Sequence, residues 1–195
     1  MKQLLSGFLA GICISIGGSI YLMAPNKVIG SVLFSVALLS ICFLGLSLYT
    51  GKIGFAVYNY SKRNIYDLML CLVGNMIGVV LIGILSKGSI DANIVEALCN
   101  NKLNVSLSKS FFNACMCGVL MYIAVYSYKV KNTVVGILFC IPTFILCGFE
   151  HVVADVYYLA LNGVFSIKVL LFVFVVLLGN TAGSILFSLI HSKIR

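Results

Sequence analysis

Gly148-Phe149-Glu150-His151-Val152-Val153-Ala154-Asp155 puts two carboxylates and an imidazole within six residues, in the middle of an otherwise apolar sequence. Residues 134–147 upstream and 156–161 downstream are almost wholly hydrophobic. If this region crosses a bilayer, the ionisable groups lie near its centre. There each costs roughly 3 to more than 10 kcal/mol unless it faces a partner or a water-filled path. Groups at that depth mark ion or proton pathways, and His151 is the natural proton carrier because an imidazole changes charge near neutral pH. The plain alternative is a polar cluster that only ties helices together. Thr50 offers a hydroxyl for the same chemistry, or a hydroxyl bonded to a helix carbonyl. No phosphate loop, nucleophile–base pair, metal-ligand spacing or nucleotide motif accompanies these groups, and neither a cofactor nor a metal is expected.

The elements that must position them are membrane helices. Of the 195 residues, 62% are hydrophobic and 9% charged, too few charges to solvate a soluble domain of this size. The apolar runs are near 20 residues long, as helices require, rather than the alternating ten of barrel strands. The net charge of +8 is scattered over connecting segments, which speaks for topology and anion attraction and against a nucleic-acid-binding face. Seven of the eight cysteines fall inside apolar runs, where they act as small hydrophobes, and Cys99 falls in a connecting segment. The first 23 residues read as a transmembrane helix rather than a cleaved signal, because the apolar run is long and at least five more follow.

Six spans are expected, in one domain covering residues 1–195. Span one covers about 4–23. Span two runs from 28 to 46, is interrupted at Gly45-Leu46-Ser47-Leu48-Tyr49-Thr50-Gly51-Lys52, and resumes over 53–58. Spans three, four and six cover about 67–85, 111–128 and 169–190. Span five, 134–161, is broken at 148–155. Polar, glycine-flanked breaks at membrane depth are tolerated only where backbone lines a cavity. Residues 87–108 form the long polar connection, with a short amphipathic helix over 91–99. Gly74-Asn75-Met76-Ile77-Gly78 is matched by Gly179-Asn180-Thr181-Ala182-Gly183 105 residues later, and Gly45 and Gly148 stand 103 apart. The chain therefore reads as an inverted repeat of three spans each, about 4–86 and 109–192. Asn75 and Asn180 are expected to cap and tether the broken helices. With both termini cytoplasmic, that face carries Lys2, Lys62, Arg63, Lys129, Lys131, Lys193 and Arg195, against five lysines opposite. His191, Lys193 and Arg195 read as a solvated helix end.

Leu48-Tyr49-Thr50-Gly51-Lys52 is similar to the LFTGN segment of the formate/nitrite transporter family, and residues 148–155 resemble that family's GFEHSVAN. Both GN motifs fall where the family has them, and the likeness extends over nearly all the chain. It implies an aquaporin-like protomer with its own pore, assembled as a pentamer, with His151 and Thr50 facing each other midway. Leu38, Leu48 and Tyr49 would form the cytoplasmic-side constriction, Phe34 and Phe144 the other, and Lys102 a vestibule lysine that attracts anions. The chain departs from the pattern at Gly118, where the family often has Asn, at Lys52 for the Asn of TGN, and at Asp155 for the Asn of SVAN. Glu150 is expected to accept hydrogen bonds from the interrupted backbone of span two, and Lys52 and Asp155 to be candidates for a charge pair between the broken segments.

The expected function is a channel or transporter in the cytoplasmic membrane for a small monovalent anion. Formate is the default, nitrite and hydrosulfide close behind, and passage is coupled to a proton at His151. Two other readings stand beside it: an aquaporin-like channel for a neutral solute, and a membrane enzyme using Glu150, His151 and Asp155 for acid–base work. A channel moves solute without converting it, whereas an enzyme yields a product.

Overall fold

The computed structural model describes residues 1–58 and 60–194, so Arg195, counted above among the basic residues of the terminal face, lies outside them. The described residues form α1 (Lys2–Met23), α2 (Lys27–Phe43), α3 (Tyr49–Lys52) and a 3-10 segment (Ile53–Val57). After these come α4 (Lys62–Leu85), α5 (Ala92–Leu103), α6 (Leu107–Lys131), α7 (Val135–Leu146), α8 (Val152–Asn162) and α9 (Ile167–Lys193). Side chains fix several starts. Asn26 accepts from the backbone N–H of Val28 and Ile29, Ser61 from Asn64, and Ser166 from Val169. Such caps contribute about 1 kcal/mol each. Because Ser61 caps α4, that helix begins five residues before the expected Asp67 and takes Lys62 and Arg63 into its first turn.

Helices α1, α4, α6 and α9 are long and apolar enough to cross a membrane, while α2, α7 and α8 are shorter. The most extensive packing joins α1 to α4 and α6 to α9, with α2 lying between α1 and α7. Leu5, Leu9 and Ile16 of α1, Val73, Ile77 and Leu81 of α4, and Phe174 and Leu178 of α9 are exposed on the outside. An apolar belt of that extent belongs in lipid, not water. The protein is an all-helical membrane protein.

Helix stops at residues 44–48 and again at 147–151, and each stop contains a left-handed glycine, Gly45 at φ 63° and Gly148 at φ 67°. Nothing crowds either position, so it is the backbone conformation that requires glycine; an L side chain there costs roughly 1–2 kcal/mol. The second interruption is narrower than the expected 148–155. His151 is already the N-cap of α8, and Asp155 lies in the first helical turn.

Two further expectations are corrected. Cys99, expected in a loop, is fully buried on α5, where its thiol meets the Tyr158 carbonyl at 3.4 Å and burial pushes its pKa up to about 11. His191 is not simply solvated: its Nδ1 pairs with the Tyr122 hydroxyl at 2.9 Å, and its ring stands 4.9 Å from that of Tyr126.

Candidate functional site

Two buried asparagines tie the interruptions to their neighbours in parallel ways. Asn75 Oδ1 accepts from the N–H of Tyr49, the first residue of α3, while its amide donates to the carbonyls of Gly7 on α1 and Ser47. Asn180 Oδ1 accepts from the N–H of Val152, the first residue of α8, while its amide donates to the carbonyls of Ala114 on α6 and Glu150. Each asparagine supplies partners that a stopped helix would otherwise lack. These bonds fix Thr50 and His151, one residue inside α3 and one residue before α8.

Thr50 Oγ1 and His151 Nε2 lie 2.7 Å apart, with the two residues 0% and 2% exposed. His151 Nδ1 accepts from the Ala154 N–H at 3.2 Å. A nitrogen that accepts carries no proton, so Nε2 holds the ring proton and donates to Thr50, assigning the tautomer from the bonds. Phe144 lies over the imidazole, ring centroids 5.7 Å apart, and Phe34 meets Phe144 edge-on at 6.1 Å.

Cavities open on both sides of this pair. The outer one, about 350 Å³, is lined by Phe34, Phe144, His151, Glu150, Lys102 and Asp155. The inner one, about 170 Å³, is lined by Leu38, Leu48, Gly51, Lys52, Val125 and Lys129. Phe34 and Leu38 are one turn apart on α2, so a single helix lines both cavities. Tyr49 is not among the residues lining the inner cavity, and its hydroxyl bonds to Thr181 on α9 at 2.9 Å.

The charged groups are arranged differently from the sequence reading. Lys102 is ion-paired with Glu150 and, at 2.8 Å, with Asp155, and the three side chains are 13%, 4% and 2% exposed. Burial works against the Lys102 charge, but Asp155 and Glu150 outweigh it and hold its pKa above the ordinary lysine range. Lys102 thus lines the vestibule with its charge already engaged by two carboxylates. Glu150 does not take backbone bonds from residues 44–48; its side chain meets Lys102, and it shares the outer cavity with His151. Lys52 and Asp155 do not meet either. Lys52 donates to Ser47 Oγ at 2.7 Å and borders the inner cavity, whereas Asp155 borders the outer.

Gly118 packs rather than widening a passage. A Cβ there would stand 3.0 Å from both the Asn180 carbonyl carbon and the Ser184 nitrogen of α9. Gly118→Ala is expected to force α6 and α9 apart at a cost of about 1–3 kcal/mol, read as a lower melting temperature of the purified protein. An unchanged transition would contradict this packing. Asn113 escaped the sequence reading. It lines the outer cavity and donates to the Gly148 carbonyl at 3.3 Å, and no spacing in α6 sets it apart.

Comparison with known proteins follows the same lines. The family profile described as Formate/nitrite transporter matches residues 1–193. The chain is 26% identical over 182 residues to "Uncharacterized transporter YwcJ" of Bacillus subtilis, covering 80% of this chain and 71% of that protein. It is 26% identical over 144 residues to "Nitrite transporter NirC" of Salmonella typhimurium, covering 66% of this chain and 54% of that protein. The fold is similar to that of a solved structure titled "Pentameric formate channel with formate bound", with TM-score 0.81, 19% identity, and coverage of 99% of this chain and 96% of that one.

Proposed function

The chain belongs to the formate/nitrite transporter family, and from that premise we propose that it is a channel for a small monovalent anion, with formate as the default substrate and a proton taken up at or beside His151. Members of the family are transporters and channels, so the acid–base enzyme reading is set aside. The observation that carries the proposal is the Thr50–His151 contact, with one cavity lined by Phe34 and Phe144 and another lined by Leu38 and Leu48.

An anion in the outer cavity meets His151, beside the N-terminus of α8, whose dipole favours negative charge, and takes the Nε2–H only by displacing its bond to Thr50. Crossing Leu38 and Leu48 as an anion is costly; crossing as the neutral acid is not. A proton from the outer solution therefore joins the anion at the imidazole, the acid passes the two leucines, and the proton leaves on the far side. For His151 to carry a second proton itself, Nδ1 must release the Ala154 N–H.

The architecture we propose is one domain over residues 1–195 with six spans. The pair α2–α3 with its 3-10 extension makes one span, and α7–α8 another, giving an inverted repeat of about 4–86 and 109–192. Its support is the matched bonding of Asn75 and Asn180 and the matched glycines Gly45 and Gly148. The lysine and arginine bias supports both termini lying on the cytoplasmic side of the cell membrane. A pentamer is proposed from the solved formate channel of like fold.

Uptake of formate, nitrite, hydrosulfide and lactate into proteoliposomes, measured side by side at about pH 5 and about pH 8, tests the substrate. One anion clearly ahead, with faster flux at the lower pH, is the expected result. Flux of none of the four, with passage of a neutral solute such as glycerol, would replace this reading by the aquaporin-like one.

A further inference from the structure

Taking the anion-channel reading as its basis, we propose that Lys52 and Lys129 form a binding site for a small monovalent anion at the inner mouth, the one on the side of the chain termini. Both lysines border the inner cavity of about 170 Å³ and also an adjoining one of about 230 Å³ that opens beside Gln3 and Asp67. Lys52 follows Thr50 by two residues, roughly 3 Å along a helix, so its ammonium lies at the start of the path from the centre. It is held there by Ser47 Oγ at 2.7 Å, and that hydroxyl is itself bonded to Gln3 at 2.8 Å. Lys129 lies with its ammonium 5.1 Å over the Phe55 ring. Among the described residues neither ammonium has a carboxylate within 4 Å; Asp67 borders the adjoining cavity but pairs with neither.

The two mouths therefore differ in net charge. The outer cavity is lined by Lys102 and Lys109 together with Glu150 and Asp155, whose charges cancel; inside, two lysines face a cavity with no ion-pair partner among the described residues. Lys52 stands where the family pattern has a neutral asparagine, so the inner cation belongs to this chain's own chemistry. A concave, cation-lined mouth concentrates anions before they reach Leu38 and Leu48, and it does so from one side only. A lower half-saturating concentration is therefore expected for anions entering from the terminal side than from the other.

Initial formate fluxes into right-side-out and inside-out membrane vesicles, at low ionic strength, compare the wild type with the double variant Lys52→Asn, Lys129→Gln. The half-saturating formate concentration is expected to rise about fivefold in inside-out vesicles and to stay unchanged in right-side-out ones. Added potassium gluconate should close the gap, as screening requires. Lys52→Arg, which keeps the charge, should behave as wild type. A rise confined to right-side-out vesicles would keep the site and reverse the orientation of the chain. No rise, or an equal rise in both, overturns the site. If wild-type vesicles carry no formate at all, the channel reading fails by itself, and broadening of the 13C-formate resonance by purified protein then decides. Broadening lost in the double variant retains the site, and equal broadening removes it.

Discussion

His151→Ala lowers formate uptake at about pH 5 by roughly ten- to a hundredfold and leaves a flux that no longer responds to pH. The size follows from the bond removed: a hydrogen bond to a charged group is worth about 1.5–3 kcal/mol, and each 1.4 kcal/mol is tenfold. The imidazole is 2% exposed and bonded at both nitrogens, so truncation leaves Thr50 and the Ala154 N–H without their partner as well as the anion without a donor. His151→Gln separates the two roles. It can offer an amide N–H toward Thr50 but cannot take up a proton, so it should recover part of the rate and none of the pH response. Initial rates in proteoliposomes across pH, on protein that elutes as the wild-type oligomer, check this. Equal pH profiles for wild type and His151→Ala would remove His151 from the mechanism.

Lys102→Met has the second large effect, and it falls on stability. Glu150 and Asp155 are buried around a single ammonium, and removing one partner of a buried ion pair costs about 3–5 kcal/mol. For a chain of this size that corresponds to roughly 6–20 °C in melting temperature. The loss comes from two stranded carboxylates, not from the missing lysine. Lys102→Met combined with Glu150→Gln and Asp155→Asn should therefore recover most of it, because the charges leave together. A triple variant no more stable than Lys102→Met would show that Lys102 acts through packing of its stem instead. Thermal unfolding of detergent-purified protein, followed by the fluorescence of a thiol-reactive dye at the buried cysteines, distinguishes the two.

The membrane class was legible in the sequence because it rests on quantities that summation preserves: long apolar runs and few charges. Boundaries were less legible, since caps decide them. Ser61 moves the start of α4 to Lys62, and His151, by capping α8 with its own ring, closes the second interruption four residues earlier than glycine and polarity suggested. The matched GN motifs singled out Asn75 and Asn180, whose bonds then proved to run to α1 and α6, helices the motif itself does not name.

Charge pairing was the illegible part. Lys52 and Asp155 look complementary as departures from one family pattern, yet the Thr50–His151 contact lies between the cavities they border. The partner of Asp155 is Lys102, from a segment whose helical character is weak in sequence and whose approach depends on how α5 lies on α8. No periodicity encodes a contact of that kind. Gly118 shows the same limit. Its absent side chain reads equally as a wider passage or a closer helix, and only the position of the α9 backbone chooses between them.

The most direct measurement of the central claim records formate entry and internal acidification together in proteoliposomes that hold a trapped pH dye, with the membrane potential clamped by potassium and valinomycin. Passage as the neutral acid predicts that one proton enters with each formate, in wild type at every pH, with no accompanying current. Formate entry that carries current and leaves the internal pH unchanged would contradict it.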